Sequence, residues 1–340
     1  MERPKHSLGI SWENGASVRA FTGKTCARPF LIVVRSARLG AMNTPNLPSF
    51  DEKKYVDSWL TDMDGVLVHE ETALPGAVEF IDALKESGLP FTVLTNNSIY
   101  TPRDLRARLL ASGLDIPEES IWTSALATAD FLRTQRPGGS AYVLGEAGLT
   151  TALHDAGYII TERDPDYVVL GETRTYSFSG ITRCIRLIEN GARFIATNPD
   201  VSGPSPDGTL PATGSVAALI TAATGRTPYY VGKPNPLMMR TALNRLDAHS
   251  ETTAMVGDRM DTDVISGLEA GMRTILVLSG STPADKVDSF PFTPTRVLNS
   301  IEDVVPLVAQ FARPKAERPT GKADNARRSA KPDTPSDVDA

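Results

Sequence analysis

From residue 58 onward, short apolar runs alternate with segments whose apolar residues recur every three or four positions. "SWLT" (58–61), "FTVLT" (91–95), "AYVLG" (141–145), "YVVLG" (167–171), "RFIAT" (193–197), "YYVG" (229–232), "AMVG" (254–257) and "TILVL" (274–278) read as strands. "GAVEFIDALKESG" between them has helical spacing and stops at Gly88. "TPRDLRARLLASG" opens on Thr101 as an N-cap with Pro102 in the first turn and ends at Gly113. "GLEAGMRTILVL" has the helix–glycine–strand form of a parallel sheet. "FTVLT" and "TILVL" are apolar at successive positions, which predicts strands covered on both faces. The alternation predicts an α/β fold. Residues 124–213 repeat the logic on their own scale and read as an inserted α/β module, leaving 50–123 and 214–312 as the core.

Both ends break the pattern. Residues 1–49 carry a net +5, and their one apolar cluster, "PFLIVV", is shorter than a signal-peptide core. A disordered extension and an upstream start with initiation at Met42 are preferred over a mitochondrial-type presequence. Residues 313–340 have no aromatic residue, are rich in Pro, Lys, Arg and Asp, and read as a disordered tail with a net +2. The whole chain of 340 residues carries −6, so the middle carries −13. Such a domain repels nucleic-acid backbones and anionic lipids. If it handles phosphorylated compounds, it needs a local device such as a metal ion to reverse the field. No apolar run approaches the 18 or so residues of a membrane helix. The two cysteines, Cys26 and Cys184, argue against a disulfide framework or thiolate metal site and fit a cytoplasmic protein.

The chemistry-bearing residues gather after the strands. Asp62 and Asp64 follow "SWLT". Thr95, Asn96, Asn97 and Ser98 close "FTVL". Lys233-Pro234 follows "YYVG", and Asp258, Asp261, Thr262 and Asp263 follow "AMVG". In open parallel sheets, ligands bind beyond the carboxyl ends of the strands, so these clusters would converge. Singly, each has a plain reading. "DMDG" is a turn as readily as a site, and "TNNS" and "GDRMDTD" are passable helix caps. An EF-hand starting at Asp62 fails, because Leu67 stands where glycine is required and Ala73 where the bidentate glutamate is required.

Taken in order, "DMDG", "LTNN", "GKP" and "GDRMDTD" resemble the four motifs of the haloacid dehalogenase superfamily, and more narrowly its NagD-like, p-nitrophenyl-phosphatase-like subclass IIA. The resemblance runs from about 55 to 285 and includes "LPGAVEFIDALK", "YVLGEAGL", "FIATNPD" and "LPATGSVAALITAATGRTP". "LPATG" departs from the more usual "LPGTG" at Ala212. The resemblance implies a Rossmann-like parallel-sheet core with an inserted C2-type α/β cap. It implies a Mg²⁺-dependent phosphatase of small phosphorylated metabolites: sugar phosphates, glycerol phosphate or nucleoside monophosphates. Asp62 would be the nucleophile and Asp64 the acid and base, two residues on and on the same side of an extended segment. Thr95 and the backbone N–H groups of Asn96 and Asn97 would hold the phosphoryl oxygens, with Lys233 beside the nucleophile. Asp62, the Asp64 carbonyl and Asp258 would hold the metal, with Asp263 binding through water or from behind. On the cap, "GETRTYS" and "TNPDVSGP" place Arg174 and Asn198 where relatives contact substrate. Arg174 would suit a second anionic group, although a solvated surface arginine is the plainer reading. The resemblance also raises a homodimer through the cap.

Two other classes compete. A phospho-accepting signalling module also surrounds one aspartate with acids, a Thr or Ser and a Lys, but it has no acid/base partner such as Asp64 and no inserted cap, so Asp64 and residues 124–213 argue against it. A non-catalytic phospholigand-binding protein of the same fold would have no use for the full catalytic set.

Overall fold

The computed structural model describes residues 55–203, 208–314 and 317. The N-terminal extension and nearly all of the tail lie outside the described residues. In chain order come β1 (Ser58–Asp62), the hairpin β2–β3 (Val68–His69, Thr72–Ala73), α1 (Ala77–Ser87), β4 (Phe91–Thr95), α2 (Pro102–Ala111), β5 (Ile121–Thr123) and α3 (Ser124–Gln135). There follow β6 (Ser140–Leu144), α4 (Ala147–Asp155), β7 (Ile159–Ile160), β8 (Tyr167–Leu170), α5 (Phe178–Glu189), β9 (Arg193–Ala196), the hairpin β10–β11 (Ser202–Gly203, Leu210–Pro211), α6 (Thr213–Thr224) and β12 (Tyr229–Tyr230). Last are α7 (Pro236–Leu246), β13 (Thr253–Gly257), α8 (Ile265–Glu269), β14 (Arg273–Val277), β15 (Arg296–Leu298) and α9 (Val305–Phe311).

Six strands form the main parallel sheet in the order β15-β14-β13-β1-β4-β5. Every residue of β1, β4 and β13 is buried, as their unbroken apolar runs predict. Side chains alternate between two cores. Trp59, Val93 and Val256 pack on one face with Phe80 and Leu84 of α1 and Val308 of α9. Leu60, Leu94 and Met255 pack on the other with Ala125 of α3 and Met238 and Met239 of α7. Burying each large apolar side chain stabilises by roughly 1.5–3 kcal/mol. Helix ends follow the sequence signals. Gly88 caps α1 in the left-handed region, and Thr101 forms a reciprocal capping box with Asp104 at the start of α2.

The second sheet, ordered β12-β9-β8-β6-β7, is also parallel. Val168, Leu170, Phe194 and Ala196 face α5 and α6. Ala141, Val169 and Ile195 face the other way and join the cluster that holds Leu60 and Met255, so one apolar layer touches both sheets. The sequence places "YYVG" among the core strands, but in the structure Tyr229 and Tyr230 pair with Ile195 and Ala196 at the edge of the second sheet. The reason is that β8 occupies one side of β9 and the other side receives the chain as it leaves α6, just before Lys233. Among the described residues, no helix is long and apolar enough to cross a membrane.

Candidate active site

The order of the main sheet reverses at β1, which pairs with β4 on one side and β13 on the other. That switch point is where a crevice opens in a doubly wound sheet. Asp62 is the last residue of β1 and is buried. The chain then turns sharply at Gly65, whose φ of 83° suits glycine, and its N–H donates to the Val68 carbonyl. This turn leaves the Asp64 side chain exposed in the crevice. Protein packed around its carboxyl nonetheless pushes the pKa up to about 6, opposed by Lys233 and by a hydrogen bond with the Thr95 side chain.

Three further strand ends deliver the rest. Lys233 follows β12 through a short turn, and its buried Nζ donates to Asp62 Oδ1 at 2.6 Å and to Asp263 Oδ1 at 2.7 Å. Asp258 follows β13 directly. Asp263 lies in the π-helical turn Met260–Val264 that opens α8 and accepts from the Arg259 backbone N–H at 3.2 Å. Ligand oxygens of Asp62, Asp258 and Asp263 all lie within 4.8 Å of one another. Burial works against the Lys233 charge, but Asp263 and Asp62 overcome it and hold its pKa above the usual lysine value. Burial and Asp263 push both Asp62 and Asp258 upward. Lys233 thus pairs with two of the three clustered carboxylates, Asp62 and Asp263, and Asp258 adds a third beside them, so the cluster has room for the charge of a divalent cation.

Asp258 carries a more specific sign. Its Oδ2 accepts from the Ser281 N–H at 2.6 Å, whereas its Oδ1 is buried with no protein partner. The backbone crowds this carboxylate. A Cβ on Gly280 would sit 2.1 Å from Asp258 Oδ2, and one on Gly65 would sit 2.5 Å from the same atom. A clustered oxygen donor set with one orphaned, buried acceptor fits a hard divalent cation.

The loop after β4 lies alongside. Thr95 is buried, and its Oγ1 accepts from the Asn97 N–H at 3.1 Å. Asn97 Oδ1 accepts from the N–H groups of Ile99 and Tyr100, which shapes the turn leading towards α2. The cap residues divide. Asn198 is buried with both ends of its amide engaged. Its Nδ2 donates to the Asn96 carbonyl at 2.8 Å, and its Oδ1 accepts from the Asp200 N–H. Arg174 stands exposed on the loop after β8. Sequence reasoning passed over three residues at this crevice: Glu172, Asp200 and Arg259. Glu172 is half-buried, its N–H donates to Ser98 Oγ at 2.8 Å, and its pKa is pushed up to about 7 by burial and by the Asp200 and Asp64 charges. "GETR" and "TNPD" contained the signal, since acidic residues at strand ends were the criterion applied to the core motifs.

The raised Glu172 value has a measurable consequence. The folded chain binds this proton more tightly than the unfolded chain. Ionised Glu172 therefore costs stability, absent below the ordinary carboxyl value and growing as pH rises to about 7. Glu172→Gln is expected to stabilise by about 1–2 kcal/mol at pH 8, after allowance for partial exposure, and hardly at all at pH 4.5. Thermal midpoints of both proteins at the two pH values check this; equal differences would contradict it.

Comparison with known proteins agrees with this geometry. A family model described as haloacid dehalogenase-like hydrolase matches residues 59–159, and one described as HAD-hydrolase-like matches 230–304. Dihydroxyacetone phosphatase of Corynebacterium glutamicum is 66% identical over 247 residues, covering 73% of this chain and 90% of that protein. Ribonucleotide monophosphatase NagD of Escherichia coli is 46% identical over 245 residues, covering 72% and 96%. This chain belongs to the haloacid dehalogenase superfamily, in its NagD-like branch. The solved structure of Escherichia coli NagD superposes with a TM-score of 0.70 at 45% identity, over 73% of this chain and 98% of that one. A 4-nitrophenylphosphatase from Thermotoga maritima does so with a TM-score of 0.72 at 34% identity, over 74% and 97%. As a NagD-like member with the acidic cluster intact, the protein is a HAD-type phosphoric monoester hydrolase that acts on small phosphorylated metabolites.

Proposed function

We propose that the protein hydrolyses small sugar phosphates, triose phosphates foremost, with Mg²⁺ at the Asp62–Asp258–Asp263 cluster and a phosphoryl group carried on Asp62. The observation that carries this reading is the buried cluster of three carboxylates, two of them paired with Lys233 and the third, Asp258, with Oδ1 unpartnered, at the switch point of the sheet. Asp62, Asp258 and the Asp64 carbonyl would hold the ion, with Asp263 beside them. Bound there, Mg²⁺ supplies positive charge that offsets repulsion between a carboxylate and a phosphate dianion.

The chain's own residues divide the reaction. An Asp62 oxygen attacks phosphorus, forming a carboxyl–phosphate bond as the ester P–O bond breaks. Asp64 gives its proton to the departing alkoxide, and a pKa near 6 keeps that proton available close to neutrality. The ionised Asp64 then takes a proton from the water that attacks phosphorus, which frees Asp62 and inorganic phosphate. Lys233 places positive charge against the phosphoryl oxygens, and Thr95 with the Asn96 N–H orients them, the Asn97 N–H being engaged by Thr95 Oγ1 in the structure. Asp64→Asn is expected to lower kcat by about 10²–10⁴-fold for an alkyl phosphate. The loss should be smaller for p-nitrophenyl phosphate in the first step, because p-nitrophenolate departs without a proton. Single-turnover release of both leaving groups checks this; equal losses would remove the acid role.

The walls of the crevice support the substrate class. The Asp64 and Asp200 charges lie close enough to raise Glu172, and with Asp200 already bonded through both oxygens, Asp64 and Glu172 form the acidic wall of the crevice. Such a wall accepts hydroxyl donors and repels a second phosphate or a carboxylate, with Arg174 exposed nearby and Arg259 already held by Asp200 and Asp261. Two relatives named for three-carbon and sugar substrates, dihydroxyacetone phosphatase and the 38%-identical acid sugar phosphatase of Staphylococcus aureus, lend weight. A panel of monophosphates ranked by kcat/KM tests the choice. Dihydroxyacetone phosphate and glycerol phosphate should exceed phosphoglycerate and nucleoside monophosphates, and the reverse order would overturn it. A homodimer through the cap belongs to the same reading, supported by Phe178 at 83% exposure on α5. A monomer by sedimentation at micromolar concentration would remove it. Cytoplasmic residence also fits the buried free thiol of Cys184.

A further inference from the structure

We propose that Asp200, on the loop after β9 in the second sheet, is a positioning residue for the catalytic centre, acting through Arg259 and Asn96. The inference rests on the phosphatase reading above. Asp200 Oδ1 accepts from Arg259 Nη1 at 2.7 Å, and its Oδ2 accepts from Asn96 Nδ2 at 2.8 Å. One carboxylate of the second layer thus holds two loops of the main sheet, the phosphate-motif loop after β4 and the acidic loop after β13.

Each partner sits one step from Lys233. Asn96 Nδ2 also donates to the Lys233 carbonyl at 3.1 Å. The Arg259 backbone N–H donates to Asp263 Oδ2, and Asp263 Oδ1 receives the Lys233 ammonium. Asp200 therefore braces Lys233 from its main chain and from its ion-pair partner. The loop that presents Asp200 is itself fixed. Its N–H donates to Asn198 Oδ1, Asn198 Nδ2 donates to the Asn96 carbonyl, and the Asp200 carbonyl accepts from the Gly214 N–H at 2.7 Å. A Cβ on Gly214 would lie 2.2 Å from the Pro199 carbonyl oxygen, so α6 approaches the loop as closely as backbone allows.

An ordinary surface ion pair contributes little, and Arg259 has an exposed partner of that kind in Asp261, bonded at 3.0 Å through Nε and Nη2. Asp200 differs. Its side chain is only 15% exposed, and it takes the guanidinium edge that Asp261 leaves open while also holding an amide. Charge-assisted bonds to a carboxylate that is largely out of water constrain geometry more than exposed ones do. Small misplacements of catalytic groups are costly in rate while ground-state binding through the phosphate survives.

The test uses the full chain with Mg²⁺ and p-nitrophenyl phosphate, comparing wild type, Asp200→Ala, Arg259→Met, Arg259→Lys and the Asp200→Ala/Arg259→Met double variant. Asp200→Ala and Arg259→Met are each expected to lower kcat about 10–50-fold, with KM within about threefold and thermal midpoints close to wild type. Arg259→Lys, which keeps a charge for Asp200, should recover at least a third of wild-type kcat. The double variant should be little worse than either single change, because both cut one path. Singles with wild-type kcat, multiplicative losses in the double variant, or losses matched by a collapse in thermal midpoint would overturn the inference while leaving the phosphatase reading intact. An inactive wild-type chain would overturn both.

Discussion

Asp62→Asn is expected to abolish steady-state turnover, with kcat down by about 10⁴-fold or more, while the protein stays folded. The carboxamide is a poor nucleophile towards phosphorus, and the two other members of the cluster are held by partners of their own. Asp263 is tied to Lys233 and the Arg259 backbone, and Asp258 to the Ser281 backbone. The stability change has a less obvious sign. Asn keeps an oxygen for the Lys233 ammonium at the position now 2.6 Å away, yet removes one of three crowded negative charges. The metal-free thermal midpoint should therefore stay level or rise, as is common when a strained functional site is relaxed. Residual p-nitrophenyl phosphate turnover above a hundredth of wild type would remove Asp62 from its role.

Lys233→Met should damage rate and stability together. The methionine fills similar volume but leaves Asp62 and Asp263, both buried, without the charge each contacts within 2.7 Å. Removing one member of a buried ion pair costs about 3–5 kcal/mol. The loss should ease as pH falls, because unpaired buried carboxylates protonate readily and the folded chain then binds more protons than the unfolded one. A divalent cation should stabilise this variant more than wild type, since the cluster now lacks all positive charge. A kcat loss of about 10³-fold is expected, from the electrostatic stabilisation withdrawn at the phosphoryl group. Thermal midpoints at pH 5.5 and 8, with EDTA and with Mg²⁺, check the stability half. Midpoints within 2 °C of wild type throughout would contradict it.

How much of this was legible in the sequence depended on whether a residue's neighbours lie near it along the chain. Phe91–Thr95 was readable because five buried residues in a row say strand, and the polar residues after it say crevice. The α1 and α2 ends were readable because Gly88, Thr101 and Pro102 act on their own helices. The edge strands β5 and β15, three residues each, carry too little periodicity to register. The main error of assignment, "YYVG", arose because a two-residue parallel pairing leaves no mark of which sheet receives it. Asp62, Asp258 and Lys233 were found through motif order. Asp200 was missed because its partners lie 104 and 59 residues away, and only the fold joins them. Asn198 was noticed as a polar residue facing substrate, whereas its amide is spent on the backbone of the loops it joins.

The shared apolar layer bears on how the second module works. Ala141, Val169 and Ile195 of the second sheet sit in one buried cluster with Leu60 and Met255 of the main sheet, through α3 and α7. Packing of that kind favours small sliding adjustments over a wide swing, since cores resist continuous deformation. Substrate selection would then lie in side chains at the crevice, Glu172 and Arg174 among them, more than in a large opening movement.

The central claim is that the acidic cluster around Asp62 runs metal-dependent phosphate ester hydrolysis. Its most direct test is release of p-nitrophenol and of inorganic phosphate from dihydroxyacetone phosphate by the purified full chain, before EDTA treatment, after it, and after Mg²⁺ is restored. The account expects turnover of both esters, loss of both with EDTA, and recovery of both with Mg²⁺. No release under any condition, or release that EDTA leaves untouched, would contradict it.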